Sequence, residues 1–85
     1  MLVLKQNNSG FVDLDKVPTV HVVKSCVGGR IEAVSAYGHH FWLGDYKTME
    51  RANEVLMDLY AAKKSHCNDF IMPMDKVCND DYCDI

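Results

Sequence analysis

No run of this chain is apolar for long enough to cross a bilayer, and Met1 is not followed by a basic segment and an apolar run. A soluble, cytosolic protein with no membrane association is therefore expected. A surplus of positive charge is also missing. Nine basic residues face twelve acidic ones, for a net charge of −3, so the electrostatic footprint of a phosphate-gripping protein is absent and direct nucleic-acid binding is disfavoured. No Gly-rich phosphate loop is present, because Gly28-Gly29 stands between two strand-like segments and not between a strand and a helix. There is no internal repeat. With 85 residues the chain has room for one domain, 1–85, and a thin core that invites reinforcement by a metal, disulfides or a partner.

The 18 residues from Met49 to His66 contain neither Gly nor Pro, and Met49, Ala52, Val55, Leu56, Leu59, Tyr60 and Ala62 recur mostly at three- and four-residue steps. This spacing predicts one amphipathic helix from about Thr48 to His66, within a segment 47–67. Thr48 is its natural N-cap and Glu50 lies in its first turn, while Lys63, Lys64 and His66 sit where the helix dipole favours cations. Arg51 stands where a capping box would place Glu.

The first 46 residues read as strands. Leu2-Val3-Leu4 and Phe11-Val12-Asp13-Leu14 flank a turn at Gln6-Asn7-Asn8-Ser9-Gly10, and Asp15-Lys16-Val17-Pro18 is a break. Thr19 to Lys24 is rich in β-branched residues, Cys26-Val27-Gly28-Gly29 is a hairpin turn, and Arg30 to Tyr37 returns. Gly38-His39-His40 makes a second corner before Phe41-Trp42-Leu43 leads to the helix. The expected fold is α+β: an antiparallel meander of four to five strands with one long helix on one face. Residues 68–85 follow as an extended segment, with Phe70-Ile71-Met72 closed by Pro73, and a tail holding Asp75, Asp80, Asp81 and Asp84.

Four cysteines and four histidines are many for this length. Cys67, Cys78 and Cys83 follow the helix, and an acidic, aperiodic tail has little apolar surface with which to hold itself down. A structural zinc ion bound by Cys67, Cys78, Cys83 and His39 would staple it. His39 is preferred as fourth ligand because the helix runs back towards the Gly38 corner and strand alternation puts His39 on the helix face with Phe41 and Leu43. His40, on the opposite face with Trp42, and His66 come next. Inert reduced thiols or a disulfide are the other readings of the cysteines, and the missing leader speaks against an oxidising compartment. His21 reads as a solvated or hydrogen-bonded strand residue. Enzymatic activity is not expected, since Cys26 or Cys67 as a nucleophile would have no strained turn, no oxyanion loop and hardly enough chain to enclose a substrate.

The order of features, a meander ending in Leu43-Gly44-Asp45-Tyr46-Lys47-Thr48, then Glu50, Ala52, Val55 and Leu56, then an apolar segment reaching Met72-Pro73, resembles small proteins of phages and prophages of Gram-positive bacteria. It is similar to the anti-CRISPR proteins of streptococcal phages, and this resemblance covers roughly residues 1–74. It implies a non-enzymatic inhibitor that binds a type II-A CRISPR effector protein (Cas9) directly. The alternatives are an accessory or structural phage protein without a CRISPR role and a zinc-stabilised nucleic-acid-binding module.

Overall fold

The computed structural model describes residues 1–17, 19–26 and 28–75. It is an α+β fold in the order β1 (Leu2–Leu4), β2 (Phe11–Asp13), β3 (Thr19–Ser25), β4 (Gly28–Val34), β5 (His40–Tyr46), α1 (Met49–Lys64) and β6 (Asp69–Ile71). The strands do not form one meander of four to five. They divide into two three-stranded sheets, β2-β1-β6 and β3-β4-β5, because the segment before Pro18 breaks the ladder and β1 takes β6 as its second neighbour in parallel. The meander is real only over β3-β4-β5.

Within that meander the β3-β4 ladder closes on the Ser25–Gly28 pair, which leaves a two-residue connection. Gly28 has φ +140, and a Cβ there would overlap the Lys47 carbonyl. At Gly29 a Cβ would lie 2.7 Å from Ala52 Cβ. These two glycines let the first turn of α1 settle directly on the hairpin.

One extra residue, Leu43, interrupts the β4-β5 ladder: Ile31 pairs with Gly44, yet Glu32 pairs with Trp42. Strict alternation would have pointed Tyr46 outward with Trp42. The bulge resets the strand, so Leu43 and Tyr46 are both buried, while Asp45 faces out opposite Arg30 and forms an ion pair with it at 2.9 Å.

Thr48 caps α1, its hydroxyl accepting from Arg51 N at 3.0 Å, and Arg51 reaches forward to Glu54 at 3.1 Å. The buried stripe is narrower than the periodicity suggests. Ala52, Val55 and Leu59 are buried, Leu56 is half-buried, and Met49 and Tyr60 are exposed. Leu56 instead lines a shallow groove between α1 and β3 with Leu14, Val20, Leu59, Tyr60 and Lys63.

The two sheets share one core, made of Val3, Val12, Leu14, Ile31, Ala33, Leu43, Tyr46, Ala52, Val55, Leu59 and Met72. Gln6 joins them. Its backbone N–H donates to Leu43 O, its side-chain amide donates to Asp45 O and Pro73 O, and its Oε1 accepts from Asp45 N. Gln6 thus takes up backbone groups on the outer edge of β5 that no strand covers. The Tyr46 hydroxyl donates to the same Pro73 carbonyl at 2.6 Å. Asp75, also buried, accepts from Lys47 N at 2.7 Å. The chain beyond β6 is therefore anchored as far as residue 75 by polar contacts.

Candidate functional site

Alternation sorts the outer face of β3-β4-β5. His21 stands directly opposite Glu32, Glu32 opposite Trp42, and Val34 opposite His40, so His21, Glu32, Trp42 and His40 share the side turned away from α1. His40 lies two positions from Trp42, the partner of Glu32, a diagonal that long side chains span. His40 Nδ1 lies 2.9 Å from Glu32 Oε1, where a protonated ring nitrogen donates to the carboxylate. His21 Nε2 lies 3.6 Å from the same oxygen, beyond hydrogen-bond range. That nitrogen is out of contact with solvent and has no hydrogen-bond partner among the described residues.

The Glu32 side chain is 16% exposed, against 41% for His21 and 56% for His40. The hydrogen bond from His40 holds its carboxyl below the usual carboxylate range, against the opposing effect of burial, and His21 adds to the lowering. The three potential ligand atoms all lie within 4.8 Å of one another, and they make up the one such His/Cys/Asp/Glu group among the described residues.

The residues singled out from the sequence fall elsewhere. His39 is in the loop between β4 and β5, outside the alternation of either strand, with its backbone N–H bonded to Ser35 Oγ and its carbonyl to Ser35 N. Cys67 follows the helix C-terminus and is exposed, its backbone N–H bonded to Ala62 O. Cys78 and Cys83 lie outside the described residues. Sequence reading assigned His40 correctly to the face of Trp42 but did not connect it with His21 and Glu32. The available signal was the alternation itself, which places His21, Glu32 and His40 on one face once the register is known.

A second surface lies on the smaller sheet. Leu4 pairs with Phe11 on one side and Ile71 on the other, and Leu2 pairs with Asp13 and Asp69. The side opposite the buried Val3 and Val12 therefore carries an apolar row, Phe11-Leu4-Ile71, beside a row in which two carboxylates flank Leu2. Phe11 is 64% and Ile71 68% exposed. No helix of the described chain is long and apolar enough to cross a membrane. No protein-family model, curated protein or solved structure matches the chain.

Proposed function

We propose that the protein is a non-enzymatic binding protein that docks the outer face of β2-β1-β6 on a partner protein. The observation that carries this reading is the row Phe11-Leu4-Ile71, with Phe11 and Ile71 exposed and Leu4 half-buried between them, extended by exposed Leu2 and bordered by Asp13 and Asp69. Apolar centres with polar rims are the composition of protein interfaces, and large apolar side chains held together in solvent mark such sites. The two carboxylates suit a partner with basic groups around an apolar patch. The resemblance to streptococcal phage inhibitors makes a Cas9-type CRISPR effector the partner of choice, and inhibition then follows from occupying one of its surfaces. A structural zinc on Cys67, Cys78, Cys83 and His39 remains part of this proposal as a staple for the chain beyond Asp75.

The test is a DNA-cleavage assay with purified Cas9 and guide RNA. Wild-type protein should inhibit cleavage, and Phe11→Asp combined with Ile71→Asp should abolish inhibition while leaving the far-ultraviolet circular dichroism unchanged. Full cleavage in the presence of the wild-type protein would remove the CRISPR effector as partner. Undiminished inhibition by the double variant would remove this face.

A further inference from the structure

We propose that His21, Glu32 and His40 bind a divalent transition-metal ion of the imidazole-preferring kind, zinc foremost, on the outer face of β3-β4-β5. The site is separate from the proposed docking face and stands whatever partner that face meets.

The donor set selects the class of ion. Two imidazoles and one carboxylate suit zinc, cobalt, nickel or copper, whereas calcium and magnesium require a shell of oxygens that a single carboxylate does not supply. Geometry comes next. Metal–nitrogen and metal–oxygen bonds of about 2.0–2.2 Å in a tetrahedral shell separate the ligand atoms by about 3.3–3.6 Å. Here the two separations to Glu32 Oε1 are 2.9 Å from His40 Nδ1 and 3.6 Å from His21 Nε2. These two bracket the required spacing, and the third separation, between the imidazole nitrogens, is within 4.8 Å.

The three residues also come from three neighbouring strands of one hydrogen-bonded sheet, which fixes their Cα positions before any ion arrives. His21 Nε2 supplies a further reason. It is shut away from solvent and makes no hydrogen bond, only a 3.6 Å approach to Glu32 Oε1, and a shared ion would satisfy it more fully. Binding replaces any proton between His40 Nδ1 and Glu32 with the ion, that proton leaving to solvent. Because both imidazoles are partly exposed, the fourth position opens outward to water or to a donor from another molecule.

Cobalt(II) is the probe, added to the full chain in reducing buffer. Beside any ion on Cys67, Cys78 and Cys83, which would show a thiolate-to-cobalt charge-transfer band, about one equivalent should bind with the visible ligand-field bands of nitrogen and oxygen coordination, and these should persist when the three cysteines are changed to serine. His21→Ala, His40→Ala and Glu32→Gln should each weaken binding by at least about tenfold, since even the loss of outer-shell partners costs that much. His39→Ala, one residue away in the loop, should leave it unchanged. All four positions are at least partly exposed, and circular dichroism verifies that each variant is folded. No cobalt binding by the wild-type chain overturns the proposal. So does a single ion with a thiolate band that survives His40→Ala and disappears in Cys67→Ser, which would put the metal on the cysteines that follow the helix.

Discussion

Tyr46 carries its hydroxyl into the core, and the Pro73 carbonyl is its acceptor. Burial, which penalises the phenolate, pushes its pKa from 10.0 up to about 12. A folded-state pKa raised above the unfolded one contributes stability that is fully present below about pH 10 and is lost as pH rises through about 12. Thermal stability followed across the alkaline range should therefore fall between those values, and Tyr46→Phe should flatten that fall. An unchanged slope in the variant would mean that Tyr46 ionises as freely as an exposed tyrosine. Little of this was legible beforehand. At the end of the expected meander Tyr46 reads as a packing residue, but the direction of its hydroxyl cannot be read there, because an extra residue in a ladder shifts the alternation and leaves no mark in composition. Gln6 was hidden for a related reason: within Gln6-Asn7-Asn8-Ser9-Gly10 it looks like one more turn residue, and its role depends on an edge strand nearly forty positions away.

At the scale of elements, α1 was the most legible part, since its stripe, its Thr48 cap and its basic last turn are all local signals. Its C-terminus holds a further one. His66 N–H bonds to Lys63 O and Cys67 N–H to Ala62 O, the paired pattern of a Schellman ending, with His66 at φ +61 where glycine is usual. A side chain in that left-handed conformation costs about 1–2 kcal/mol. His66→Gly should then raise stability by about 1 kcal/mol, part of the gain being offset by the freer unfolded chain. Chemical denaturation measures it, and a destabilised variant would show that the His66 side chain holds something in place. The strands were less legible than the helix. Each short apolar run was recognised where it stands, but whether neighbouring runs pair in one sheet or two depends on contacts that hydrophobic pattern does not encode. The His21–Glu32–His40 cluster shares that limit, because its members are separated along the chain and meet only through register.

On the scale of the whole molecule, the α+β class was legible from the pattern of strands and one helix, whereas the return of the chain to its own beginning was not. Asp75 was grouped with a tail that needed an outside staple, yet it is buried against the start of α1 and accepts the Lys47 N–H. Likewise the run Phe70-Ile71-Met72 reads from sequence as either an added edge strand or a packed extended segment; β6, which includes Phe70 and Ile71, is the parallel partner of β1, with Leu2 N–H bonded to Asn68 O and Met72 N–H to Leu4 O. This pairing sets an order of events during synthesis. The meander and its helix draw on residues 19–64, all neighbours along the chain. The first strand emerges earliest but obtains its second neighbour only when residues 69–71 arrive, and a hairpin of two short strands is marginal by itself. Closing so long a loop delays the pairing. In pulse-labelled hydrogen exchange during refolding, the amides of Ile31 and Ala33 should become protected before that of Leu2; simultaneous protection would contradict this sequence. Until residues 69–71 land, β1 waits with an open flank while the meander and its helix are already in place, which leaves the nascent chain prone to mispairing over that interval.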